Sequence, residues 1–108
     1  MQSCKKTTVP ELTTKIVSGI TQTTAISGGN IINNGGAGVT ARGVCWSTSE
    51  NPTVNSDKTS DGTGNGDFTS NISGLIPFVT YYIRAYATNE EGTAYGNEIT
   101  FKTLGRTI

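Results

Sequence analysis

Between Gly74 and Asn89 the chain reads GLIPFVTYYIRAYATN, and from Tyr81 onward its apolar and polar positions alternate without a break. Tyr81, Ile83, Ala85 and Ala87 fall on one face and Tyr82, Arg84, Tyr86 and Thr88 on the other, the period of two of a half-buried antiparallel strand. The first set is assigned to the core. Shorter runs repeat the pattern. Glu11 to Ser18 (ELTTKIVS) predicts a first, edge strand with Leu12 and Ile16 inward, and Thr23 to Ile32 (TTAISGGNII) a second, in which Gly28-Gly29 mark a bulge or a close backbone approach. After the turn NNGGAG, Val39 to Thr48 predicts a third strand with Val44 and Trp46 inward and Gly43 and Cys45 on the other face.

Asn51-Pro52 makes a turn, and the polar stretch from there to Asp67 is the most loop-like part of the chain. Phe68 to Ile72 alternates again, with Phe68, Ser70 and Ile72 inward. A hairpin at NEEG then leads into a final strand, Thr93 to Thr103, with Ile99 and Phe101 inward. About seven short strands at regular spacing, with no helical stretch, predict an all-β, antiparallel, immunoglobulin-like sandwich. Its bounds are set at residues 11–103, between a flexible polar lead-in over residues 1–10 and a short tail over residues 104–108.

Composition narrows the function classes. A chain of 108 residues fits one domain, and 14 glycines with many threonines are a turn-and-strand composition. Eight basic and eight acidic residues cancel, which removes the electrostatic footprint of a nucleic-acid binder. No histidine is present, so the usual general base and the commonest transition-metal ligand are both missing. No enzyme activity and no cofactor are expected. Cys4 and Cys45 are not expected to form a disulfide, since that bond would tie a mobile end to a strand. Without a histidine or basic neighbour to lower its pKa, Cys45 reads as a small hydrophobe.

The segment GLIPFVTYYIRAYATNEEG resembles the signature of the fibronectin type III superfamily, in which a Leu-x-Pro turn precedes a corner tyrosine, an alternating strand and an Asn-x-x-Gly hairpin. Leu75, Pro77, Tyr81, Ile83, Asn89 and Gly92 fall on that pattern; Phe78 and Val79 stand where the family usually has glycine and threonine. Together with SGGNI and ARGVCWSTSENPT, the segment is similar to a bacterial branch of the fold found in exported lipoproteins and surface proteins. That family usually carries a tryptophan in its second strand, two residues after an inward aliphatic. Here Ile26 is followed by Ser27 and Gly28, so Trp46 of the facing strand is expected to fill the space above Gly28. Ser3-Cys4 resembles the end of a bacterial lipobox, which implies a diacylglycerol anchor on Cys4, with the membrane touched only through it.

Two surface features are candidates for chemistry. Asp61, Thr63, Asn65 and Asp67 place oxygens at alternate positions around glycines, as a calcium loop does, but Ile72 occupies the position that needs a bidentate glutamate, and a plain hairpin accounts for the same glycines. The outward row Tyr82, Arg84 and Tyr86 could stack on a glycan or anchor a protein partner, or could simply shield the sheet. The expectation is thus a monomeric, exported binding or adhesion module anchored through Cys4, with a passive spacer domain as the alternative.

Overall fold

The computed structural model describes residues 7–105. Eight strands form: β1 (Glu11–Thr14), β2 (Ala25–Asn33), β3 (Ala41–Ser47), β4 (Asp57–Lys58), β5 (Gly66–Ile72), β6 (Thr80–Asn89), β7 (Gly92–Tyr95) and β8 (Ile99–Lys102). They make two antiparallel sheets, one in the order β1-β2-β5, the other β4-β3-β6 with β7 and β8 both paired to the far side of β6. About seven strands are expected, and two are added to the six runs named individually from the sequence. The polar stretch after Pro52 contributes β4, and the final strand breaks at Gly96–Glu98 into β7 and β8.

The core lies between the sheets and follows the alternation. Val44, Ile83, Ala85 and Ala87 are fully buried, joined by Tyr81, Trp46, Phe68, Ile72 and Phe101, with Ile99 half-buried against them. Ile16 departs from expectation at 79 % exposed. The alternation that buries Leu12 and Thr14 ends with β1, and residues 15–18 follow β2 through Lys15 N–H to Gly28 O, the Ser27 hydroxyl to Lys15 O and the Ser18–Ile26 bridge.

Ile26 is likewise outward, because the inward positions of β2 are Ala25, Ser27, Gly29 and Ile31. This overturns the expected packing of Trp46 above Gly28. Gly28, at φ 143°, lies against the β5 backbone, where a Cβ would come within 2.1 Å of Phe68 O; inside the sandwich it is Gly29 that makes room, for the Phe68 ring and the Ala85 methyl. The β2–β5 register is unbroken, so the glycine pair marks a close approach; the sheet's irregularity falls instead between Glu11 and Leu12, where β1 pairs with β2.

Polar side chains hold the sandwich together at its ends. At one pole, buried Asn89 donates through Nδ2 to Thr8 O (2.7 Å) and Asn34 O (2.9 Å) and accepts from Glu91 N–H through Oδ1, tying two chain segments to the β6–β7 hairpin. At the other, Tyr81 OH accepts from Ile76 N–H (2.9 Å), and buried Thr103 donates to Ile76 O and accepts from Val79 N–H. Phe78, standing where the resembled family has glycine, adopts φ +62° within this turn. The chain enters at the Asn89 pole and leaves at the Tyr81 pole, where Leu104 N–H meets Thr21 O.

Asn89→Ala removes a buried side chain that donates to Thr8 O and Asn34 O, and a loss of about 1–3 kcal/mol is expected in chemical denaturation, while Asn30→Ala on the exposed face of β2 should change stability by less than about 0.5 kcal/mol.

Candidate functional site

The row Tyr82, Arg84, Tyr86 does lie on the outer face of its sheet, opposite Ser47, Cys45 and Gly43 respectively. It is not a free surface. The connection between β3 and β4 folds back over it and buries Pro52 completely. Arg84 Nε donates to Pro52 O at 2.7 Å while its guanidinium sits 3.9 Å from the centre of the Tyr95 ring. Tyr95 OH in turn accepts from Val54 N–H at 3.1 Å. Arg84 is therefore occupied within the domain, as a clamp on the covering loop.

Tyr86 requires the larger correction. It is 2 % exposed, because the chain beyond β4 continues along the edge of β3 through Thr59 N–H to Val44 O and Asp61 N–H to Arg42 O, and so lies across it. The phenol donates to Thr59 O across Gly43, where a Cβ would come within 2.3 Å of that same oxygen. Burial, with the neighbouring Asp61 and Cys45 adding to it, pushes the Tyr86 pKa up. Tyr82 and Arg84 stay partly accessible, Tyr82 flanked by Ser47 and Thr100. The sequence signal that could have exposed this covering was Asn51-Pro52: a proline after a left-handed Asn51 (φ 60°) sets a tight return of the chain onto the sheet it has just left.

Cys45 faces this same layer. Its thiol lies 3.5 Å from both Pro52 O and Arg84 O, fully buried, and burial raises its pKa to about 11, against a smaller lowering by Arg84. Cys4 lies outside the described residues, and so does the anchor assigned to it.

The glycine-rich loop over residues 61–67 already holds a cation of the chain itself. Arg42 donates through Nε to Asp61 O (3.0 Å) and through Nη1 to Gly64 O and Asn65 O (3.2 Å each). Its guanidinium gathers three backbone carbonyls of the loop and places a positive charge where a calcium ion would need to sit among the loop's oxygens. The Asp61 carboxylate is turned inward to accept from Ser70 and Thr59 hydroxyls, and no group of three or more metal-ligating side chains forms among the described residues.

This Asp61-Thr59-Ser70 cluster spans the open side of the sandwich, from the edge of one sheet to β5 of the other. Further along the same side, toward Trp46, the slot is open. Trp46 is paired with Asp57 of β4 and lies between two adjoining grooves of about 380 and 460 Å³. Asp57, Lys58, Thr59, Asn71, Ser73 and Gly74 line the first. The second runs from Ser47, Asn55 and Ser56 to Ile76 and Tyr81. Sequence reasoning placed Trp46 in the core correctly but not these grooves, since Asp57 and Ser73 become neighbours only through the pairing of β4 with β3.

No protein-family model and no curated protein matches the chain. Among solved structures, it is similar to the sensor domain of the anti-sigma factor RsgI4 of Pseudobacteroides cellulosolvens, with 21 % identity over 92 % of this chain and 98 % of that one and a TM-score of 0.65. It is similar too to a human fibronectin type III domain, that of the KIAA0970 protein, with 16 % identity over 90 % of this chain and 75 % of that one (TM-score 0.57). The fold is that of a fibronectin type III domain. At these identities the likeness is one of fold. In this fibronectin type III sandwich the corner tyrosine is Tyr81, and the five-stranded sheet carries the covering loop on its outer face.

Two outcomes follow. Tyr86→Ala should cost about 3–5 kcal/mol, as for other buried aromatics, and Tyr82→Ala about 1 kcal/mol or less, measured by denaturant titration. The folded Cys45 pKa stands above its unfolded value of 9.0, so its contribution is complete below pH 9 and is lost as pH rises through about 11. Thermal midpoints should hold level up to pH 9 and fall above it, and in a Cys4→Ser variant Cys45 should resist a thiol reagent at pH 8 until the protein is unfolded.

Proposed function

We propose that this chain is a non-catalytic recognition module of an exported bacterial envelope protein, held at the membrane through a lipid on Cys4 and binding a glycan or protein ligand. The observation that supports it is the pair of polar grooves on either side of Trp46, left open where the rest of the sandwich side is closed by hydrogen bonds. Fibronectin type III domains are generally non-catalytic, and the similar domain of RsgI4 is a sensor domain. A passive spacer is the second reading. It is favoured by the way Arg84 and Tyr86, the residues best suited to an outer-face contact, are used up inside the domain.

Glycan and protein arrays probed with the isolated domain separate the two readings: selective capture of a ligand is expected, and an array with no selective signal would leave the spacer. For the anchor, fractionation of the host cell should find the wild-type protein with the membrane and Cys4→Ser in the soluble fraction; wild type that is already soluble would remove the lipid from the account.

A further inference from the structure

The slot beside Trp46 has free hydrogen-bonding groups of both kinds. Trp46 is 8 % exposed, and no buried side-chain nitrogen or oxygen among the described residues lacks a partner. Its indole N–H meets no acceptor among those residues either, and the ring lines both grooves. Directly opposite in register, Asp57 is exposed, and its carboxylate has no partner among the described residues. The contrast lies two residues away on the same strand face. Thr59 is hydrogen-bonded to Ser70 across the slot, and Asp61 accepts from Ser70 beyond it. The same architecture thus closes the slot at one register and leaves a donor and an acceptor unused at the next.

We propose that this slot is a binding site for a neutral saccharide of one or two units, an inference that rests on the recognition reading above and names its site and ligand class. The carboxylate of Asp57 accepts from two adjacent hydroxyls, the Trp46 indole N–H donates to a hydroxyl or ring oxygen, and Asn71 and Ser73 on the facing wall offer an amide and a hydroxyl that can each donate and accept. Ile76 and Tyr81 at the far end of the second groove supply apolar surface for the sugar's C–H face. The volumes fall within the range of small-molecule clefts, roughly 300–1,000 Å³. An extended peptide fits less well, because β4 presents an edge of only two residues along which a strand could add. Asp57 and Lys58 both line the first groove, so its lining carries no net charge that would favour an anionic ligand over a neutral one.

Trp46 is the only tryptophan of the chain, so its emission reports on the slot directly. Cellobiose, xylobiose, mannobiose and chitobiose are titrated into the intact domain at millimolar concentrations, with binding followed by tryptophan fluorescence and calorimetry. A saturable change with at least one of them is expected. Asp57→Ala should weaken that binding by about tenfold or more, Asn71→Ala should weaken it as well, and Tyr82→Ala should leave it unchanged; Asp57 and Asn71 are exposed, so the fold survives their loss. Binding that is indifferent to Asp57→Ala and Asn71→Ala overturns the proposal. So does a silent Trp46 with all four sugars in a domain that captures a protein on an array, an outcome that leaves the recognition reading standing. A domain that binds neither sugar nor protein overturns both.

Discussion

One threonine hydroxyl bridges the two sheets at the centre of this domain. Ala85 lies at the centre of the core, fully buried, and the final strand that should pair beside it breaks at Gly96–Glu98. Its amide would be an orphan at a cost of about 1–3 kcal/mol, but Thr14 of the opposite sheet crosses the gap and accepts from it at 2.9 Å. The arrangement is reciprocal: Thr14 N–H donates to Asn97 Oδ1, and Gly96, whose Cβ would come within 2.6 Å of the Thr14 hydroxyl, donates its own N–H to Ala85 O. The break in the last strand, the glycine beside it and the inward threonine at the end of β1 are one device.

The same logic organises the rest of the molecule. With 33 % hydrophobic residues the chain can fill one thin core, and the sides and ends of the sandwich are closed by polar side chains that meet backbone groups. Asn89, Thr103, Thr59 and Ser70 each satisfy partners from segments far apart in sequence. Arg42 and Arg84 do comparable work on the outside, Arg42 gathering three carbonyls of the glycine-rich loop and Arg84 holding the carbonyl of Pro52 in the covering loop. The charges of this protein are in large part structural, which is why a tyrosine–arginine row that looks like a binding surface is spent on internal contacts.

The alternation of β6 made its inward face legible from sequence, since period two leaves one assignment for Tyr81, Ile83, Ala85 and Ala87. The corner tyrosine and the Asn89 hairpin were legible for a similar reason: each depends on residues within a few positions. What escaped was decided by distant segments. Burial of Tyr86 and Cys45 depends on where Pro52 and Thr59 return to the sheet, and period two cannot distinguish an outer face exposed to water from one covered by a loop. The outward turn of Ile26 was missed because its phase is set by the pairing of β2 with β5, in which Ala25 meets Ile72. The grooves beside Trp46 were invisible for the same reason, as their walls belong to strands of different sheets.

The entry and exit of the chain at opposite poles have a mechanical consequence. A pull on the two ends acts nearly along the strands, so the ladders joining β1 to β2 and β8 to β6 are loaded in shear, and their hydrogen bonds must fail together instead of opening one at a time. The contacts of Thr8 with Gly35 and Asn89, and of Leu104 with Thr21, are the first to take the load, and they sit outside the ladders as sacrificial ties. A domain with so thin a core is thereby stiffest along its own long axis, the direction in which tension between its two ends would act.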